Sequence, residues 1–368
     1  MIAWYLRRAG RLLTAHIDGP LLGAVLLLMA TGLTVLYSAS NAGWPRVSGQ
    51  MMNMLVALAV MWVFANIPPH ILLRLALPVF VVGLILLVGV AWKGEIVNGA
   101  RRWLNIGVTR IQPSELMKIA APLMLAWYFH RYEGTLRARN FVMATIVLLI
   151  PVALIARQPD LGTAILILAS GGYVLFLAGL SWKIIIGLGV AGLASAPVAW
   201  SFMHDYQRQR ILMLIDPMQD PLGKGYHTIQ STIAVGSGGV TGKGWMSGTQ
   251  THLDFIPERT TDFIFAVYSE EFGLVGNIVL LTLFLLVISR GFVIAAQAPT
   301  LFTRLLAGAI TLTFFTYAFV NMGMVSGILP VVGVPLPMIS YGGTSLVTLC
   351  LGFGVLMSIH THRNLVRT

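Results

Sequence analysis

Acidic residues and cysteine are scarce in this sequence. Only 13 Asp and Glu stand against 24 Lys and Arg in 368 residues, a net charge of +11, and charged residues make up 10% of the chain. A chain so poor in charge, 57% hydrophobic with a mean hydropathy of +0.82, does not fold as a soluble domain and reads as a polytopic membrane protein. The one cysteine, Cys350, excludes an intramolecular disulfide and a cysteine-based metal site. There is no glycine-rich phosphate loop of the nucleotide-binding kind and no low-complexity tail. In a soluble protein the positive balance would suggest nucleic acid. In a membrane chain it reads as cytoplasmic anchoring charge and as affinity for an anionic lipid, so no nucleic-acid partner is expected. Arg7, Arg8 and Arg11 precede the first apolar stretch without a small-residue cleavage site, so this start is read as uncleaved.

What the chain does have is long apolar runs. A helix needs about 20 such residues to cross the hydrocarbon. Ten segments qualify, at about 20–38, 51–67, 71–92, 114–130, 140–157, 161–179, 183–203, 262–289, 302–326 and 343–361. The expected fold is therefore all-α: one polytopic domain over 1–368, with about ten transmembrane helices and a long extracytoplasmic loop, 204–261, between the seventh and eighth. An even number of crossings puts both termini on one side. Arg7, Arg8, Arg11, Arg131, Arg137, Arg139, Lys183, Arg290, Arg304 and Arg363 share that side, which reads as cytoplasmic. The opposite face is also basic, with Arg46, Arg101, Arg102, Arg110, Arg208, Arg210, Lys243 and Arg259 among its residues. Long loops translocate regardless of charge, or else this face binds a polyanion. Residues 327–342 are too apolar for a free loop and too rich in Pro and Gly for a helix. They are expected to dip into the membrane edge against other protein.

The costliest residues lie in 255–273. Asp262, Glu270 and Glu271 fall in or beside a membrane helix, where a charge costs roughly 2.5–3.5 kcal/mol on insertion scales. Thr261 is the expected N-cap, which places Asp262 in the first turn. There it is either a helix-terminal acid favoured by the dipole or a reactive group where a polar loop meets the bilayer. At about 100° per residue, Ala266, Ser269 and Gly273 continue its face and suggest the small-sided wall of a groove. Glu270 and Glu271 turn away and are expected to pair with cations inside the bundle. Ser114 is the expected N-cap of the fourth helix, where Glu115 and Lys118 at i,i+3 can neutralise each other. From position alone Trp103 is an interface-belt aromatic, and Asp160 a helix cap at the membrane surface. Arg208 and Arg210 carry guanidinium groups suited to phosphate oxygens. No pair of histidines has metal-ligand spacing.

Several blocks together resemble the SEDS family (shape, elongation, division, sporulation). They are Gly99-Ala100-Arg101-Arg102-Trp103 with Gln112-Pro113-Ser114-Glu115, Gln158-Pro159-Asp160-Leu161-Gly162-Thr163 and Thr261-Asp262-Phe263-Ile264-Phe265. To these add Asn321 with Gly327-Ile328, Pro330 and Gly333, then Ile339-Ser340-Tyr341-Gly342-Gly343-Thr344-Ser345. The matches run in order from end to end. Phe255 to Arg259 and Pro335-Leu336-Pro337 are more similar to the elongation branch than to the division branch. Thr260 departs from the pattern, since many relatives carry His there.

The resemblance implies a ten-helix glycosyltransferase of the bacterial cytoplasmic membrane. It would polymerise lipid II onto an undecaprenyl-diphosphate-linked glycan on the outer face. It also implies a class B penicillin-binding protein as partner, beside other elongation-machinery membrane proteins. The essential acid maps onto Asp262, with Trp103, Arg102, Glu115, Lys118, Asp160 and Arg210 as substrate-binding candidates around the cavity. A polar leaving diphosphate calls for Arg210 and the arginines beside Trp103, Arg102 included, or for a divalent cation, Mg or Mn, held by Asp262. The competing readings are a lipid II flippase and a non-catalytic scaffold.

Overall fold

The computed structural model describes residues 15–363, apart from 98–99, 106–109, 159, 204, 222, 224, 254 and 257. Among the described residues ten helices have 17 or more residues: α1 (Gly19–Ala39), α2 (Trp44–Ala65), α3 (Pro69–Lys93), α4 (Pro113–Arg131), α5 (Ala138–Ala156), α6 (Leu161–Leu177), α7 (Trp182–Phe202), α11 (Ile264–Ala296), α12 (Leu301–Val325) and α13 (Thr344–Thr361). Seven of them are long and apolar enough to cross a membrane, and α6 and the 182–198 part of α7 are shorter apolar helices. The chain is thus a helical, multi-pass membrane protein. His16 Nδ1 lies 3.2 Å from Thr361 Oγ1, so the start of α1 and the end of α13 share one end of the bundle.

Two expected loops carry structure of their own. β1 (Glu95–Val97), β2 (Ala100–Asn105) and β3 (Arg110–Ile111) form a three-stranded antiparallel sheet, an exception to the all-α expectation. Glu95 faces Trp103 and Leu104 faces Ile111 across the two ladders. Within 204–261 lie the helices α8 (Asp205–Ile215), α9 (Tyr226–Ser237) and α10 (Thr249–His252).

The core is centred on α4 and α12. Met117, Ala120, Ala121, Ala126 and Phe129 of α4 are fully enclosed, as are Leu306, Ala307 and Ala309 of α12. Their small side chains let neighbouring helices approach closely, the main source of attraction between helices in lipid. No described residue of α7 is buried, so that helix presents apolar side chains to lipid all round.

α11 carries the fold's main irregularity. Gly273 breaks it with φ 63° and ψ −158°, which a residue with a side chain adopts only under strain. The backbone of 239–244 enters the break. Lys243 N–H and Gly244 N–H donate to the carbonyls of Glu270 and Glu271, while Leu274 N–H and Val275 N–H donate to those of Gly239 and Val240, each at 3.0 Å. The helix bonds lost at the kink are thereby replaced, as backbone buried in a membrane protein requires.

Residues 327–342 are irregular and pack against the rest of the protein, as expected. Val334, Leu336, Met338 and Ile339 are buried, and Gln50 of α2 donates from Nε2 to the Ser340 carbonyl at 3.1 Å and accepts from Gly342 N–H at 3.1 Å.

Candidate active site

Asp262 lies outside helix α11, in a turn over 258–263, and the N-cap is Phe263 rather than Thr261. The Thr261 hydroxyl is engaged elsewhere, donating to the Glu258 carboxylate at 2.7 Å, and both Thr261 N–H and Phe263 N–H donate to the Glu258 carbonyl. The turn is then tied to 328–343. Asn321 Nδ2 donates to the carbonyls of Asp262 at 2.8 Å and Val334 at 2.7 Å, Ser340 Oγ donates to the Thr261 carbonyl at 2.7 Å, and Tyr341 N–H to that of Thr260 at 2.9 Å. Main-chain bonds therefore fix Asp262, and its carboxylate has no hydrogen-bond partner among the described residues.

The carboxylate borders a cavity of about 420 Å³ that also contains Arg102, Trp103, Glu115, Lys118 and Asp160. Five of the six substrate-binding candidates thus meet the catalytic candidate. The sixth, Arg210, has its backbone in α8, but its side chain lies outside the described residues. The wall opposite is the extended segment from Val332 to Pro335. Gly333 has φ +74°, and a Cβ added there would sit 3.3 Å from Asp262 Oδ2. Ala266, Ser269 and Gly273 do not border the cavity, because Asp262 precedes the helix and does not share its phase.

Charges alternate around the walls. Lys118 Nζ donates to Glu115 Oε1 at 2.6 Å and stands 5.1 Å above the Tyr317 ring, so the i,i+3 pair forms as expected. Glu115 Oε2 is buried without a partner. Arg102 Nε stands 3.7 Å from Asp160 Oδ2, and Gln112 Nε2 donates to the same oxygen at 3.5 Å. Asp160 also caps α6, its Oδ1 accepting from Thr163 N–H at 3.3 Å. The expected cap on α4 is absent; Gln112 is the N-cap residue and Pro113 opens the helix, since proline lacks the N–H that a first turn leaves unpaired. Burial, with the nearby Glu258 carboxylate second, pushes the Asp262 carboxyl up to about 6. Desolvation therefore outweighs any help from the helix dipole.

Glu270 and Glu271 do pair, Glu270 with groups of the 204–261 segment and Glu271 with Ser38 of α1 and His252 of α10. Lys243 Nζ lies 2.7 Å from Glu270 Oε1, which also accepts from Thr249 Oγ1 and Gln250 N–H. Glu271 accepts from Ser38 and stands 3.6 Å from His252 Nε2.

Beside the polar cavity runs an apolar groove of about 670 Å³ between α2, α3, α4 and α13. The two share Gln112, Glu115 and Thr344. The groove follows α13 from Thr344 to Val355, roughly 16 Å at 1.5 Å per residue. Among the described residues no group of three His, Cys, Asp or Glu is placed to hold a metal ion. The donors around Asp262 thus form no protein cage for Mg or Mn.

A helical membrane bundle with a charged cavity opening onto an apolar groove defines a protein that handles an amphiphile with a polar head. The family model described as cell cycle protein, that of FtsW, RodA and SpoVE, matches residues 18–365, and the chain belongs to this SEDS family. It is 51% identical over 353 residues, 95% of each chain, to the peptidoglycan glycosyltransferase MrdB of Escherichia coli K12. The protein of the same name from Helicobacter pylori J99 is 36% identical, over 84% of this chain and 81% of that one. A chain solved in a peptidoglycan synthase complex that coordinates polymerization and crosslinking superposes with a TM-score of 0.82 at 33% identity, covering 94% of this chain and 98% of that one. The rod shape determining protein RodA of Thermus thermophilus gives 0.72 at 28% identity, over 94% and 97%.

Asn321, which holds the Asp262 main chain, and Gly333, which borders the cavity, are the positions that residue-by-residue reading passed over, although both belong to the family blocks. An Asn inside an apolar helix and a Gly among prolines were the available signals.

Proposed function

We propose that this protein is an inverting peptidoglycan glycosyltransferase that polymerises lipid II, with Asp262 as general base. The observation that carries the reading is the continuity of the Asp262 cavity with the apolar groove, which suits a substrate with a glycan head and a polyprenyl tail. The relatives' name supports the reaction class.

In the reaction the GlcNAc 4-hydroxyl of one lipid II attacks the anomeric carbon of the glycan on the other carrier. A C–O bond forms, the bond to the diphosphate breaks, and the hydroxyl proton passes to Asp262. An α-linked donor gives a β product by a single displacement, so one carboxylate suffices as base, as in inverting glycosidases. A carboxyl pushed up to about 6 is still largely ionised at neutral pH and is a better base than an ordinary Asp. The departing diphosphate needs positive charge, which Arg102 and Lys118 border the cavity to supply, with Arg210 assigned to donor binding.

All ten long helices are assigned as crossings of the bacterial inner membrane. Both termini are placed in the cytoplasm, and Asp262 with the 204–261 segment on the outer face. A class B penicillin-binding protein is the proposed crosslinking partner, as the fold shared with a chain of a peptidoglycan synthase complex supports. Charged residues among the described helices lie near their ends, with no relay across the middle, and this favours an enzyme over a flippase.

The test is glycan polymerisation in detergent, where there is no membrane to cross. Wild-type protein with its partner should extend lipid II, and Asp262→Asn should not, while it still binds the partner. Polymer formed by the variant at the wild-type rate would sink the assignment.

A further inference from the structure

At the bundle end farthest from Asp262 a second cavity, of about 110 Å³, plays no part in glycosyl transfer. Four helix ends build it: the starts of α3 and α12 and the ends of α4 and α13. His70, His130, His362 and Arg363 border it, and no Asp or Glu does. The volume is well above the roughly 10–15 Å³ one water needs.

His362 is only 5% exposed. Its Nδ1 lies 3.0 Å from the Ser358 carbonyl, which can only accept, so that nitrogen carries the proton. Nε2 has no hydrogen-bond partner among the described residues. The ring is stacked on His16 with centroids 4.1 Å apart and planes at 4°. Arg363 is steadied at the rim by donating to Gln297 Oε1 at 2.7 Å. On the far wall, the positive ends of two helix dipoles converge where α3 starts at Pro69 and α12 starts behind its Thr300 cap. His130 Nδ1 lies 3.0 Å from the Glu133 carboxylate, which stands outside the lining, so the features that favour an anion are the two helix starts, His70 and Arg363, with the buried His362 Nε2 unpartnered beside them.

Burial holds His362 below the ordinary histidine range, and repulsion from His16 and His70 adds to it. A bound anion would relieve that repulsion. Phe302 and Ile359 give the same cavity an apolar side, and it sits at helix ends, where a bilayer surface would lie.

We propose that this cavity binds a phosphate ester, namely the headgroup of an anionic phospholipid, and so ties four helix ends together at the membrane surface. A hydrated solute would have no use for the apolar wall, which is why the lipid is preferred over free phosphate.

Native mass spectrometry of the detergent-purified full chain tests this. Phosphatidylglycerol should be retained in preference to phosphatidylcholine, and should raise the melting temperature of the wild type. Loss of Arg363 should weaken retention about 5-fold, the factor expected of one surface charge near an anionic lipid, and loss of the His70 ring beside it should weaken it further. The variants are His70→Ala with Arg363→Ala, and Arg363→Gln alone should the pair fail to fold. Neither touches the Asp262 cavity, so polymerisation of lipid II should persist in both. Equal retention of phosphatidylglycerol by wild type and variants would mean general lipid contact and overturn the proposal. Displacement of the lipid by inorganic phosphate would reassign the site to a soluble phosphate and overturn the lipid assignment.

Discussion

The carboxylate of Asp262 faces Gly333, whose positive φ and missing side chain leave it room, while Asn321 holds its main chain. Gly333→Ala would place a methyl group 3.3 Å from Oδ2 and force a left-handed residue, a strain of roughly 1–2 kcal/mol. A small loss of melting temperature with a much larger fall in kcat is the expected outcome, since misplacement of a reacting group by an ångström can cost about 10²-fold. Asn321→Ala removes two buried hydrogen bonds and should lower stability by about 1–3 kcal/mol in thermal unfolding. The pH profile offers a separate check. Asp262 must be ionised to act as base, so kcat/KM should fall as the pH drops through about 6. Glu258 raises that value, and Glu258→Gln should therefore move the acid limb to lower pH. The linkage sign follows as well: a carboxyl with a raised folded pKa binds its proton more tightly in the native state, so ionisation above about 6 costs stability. Asp262→Asn should melt at or above the wild-type temperature at neutral pH while losing activity.

The kink in α11 shows where sequence pattern stops being informative. Apolar runs located the ten long helices, seven of which have the length and hydropathy that a lipid crossing demands. A run that is apolar on both sides of Gly273 gives no sign of a break, since the compensating bonds come from 239–244, far away in sequence. The strands of 95–111 were hidden for a related reason: a short sheet at a membrane surface needs no alternating apolar face. The small helices of the 204–261 segment were lost in its Gly-rich composition. Asp160 as a cap and Glu115 with Lys118 were legible because they rest on local spacing. The cavity they share was legible only through the family blocks. Glu270 joins the kink to the loop, accepting from Lys243 Nζ, Thr249 Oγ1 and the amides of Gln250 and Thr251. Glu270→Gln removes the charge those donors surround and leaves Lys243 unpaired. Removing one partner of a buried pair costs about 3–5 kcal/mol, and the half-exposed lysine places the loss at or below the lower end. Hydrogen exchange should quicken first in 238–253.

On the scale of the whole molecule, the end opposite Asp262 is held by a buried carboxylate. Asp18 caps α1 through Leu21 N–H and takes two bonds from Arg290 of α11, at 3.0 and 2.5 Å, with His360 of α13 at 3.4 Å. Burial alone would raise its pKa; Arg290 and the Leu21 amide outweigh that and hold it below the ordinary value of 3.8. The stabilisation is therefore complete above the unfolded carboxyl's pKa, about 3.9, and is lost as the pH falls through the lower folded value. Asp18→Asn should cost about 1–3 kcal/mol at neutral pH, and its melting temperature should converge with the wild type's below about pH 4. The apolar groove has a consequence for kinetics. Leu75 on its rim is 42% exposed and belongs to α3, a helix long and apolar enough to cross a membrane, so in a bilayer this side of the groove would face lipid. A substrate entering there is drawn from a two-dimensional reservoir. In proteoliposomes the rate should follow the mole fraction of lipid II in the bilayer and stay constant when vesicles are diluted in bulk. The growing strand, still carrying its tail, would leave by sliding within the membrane plane.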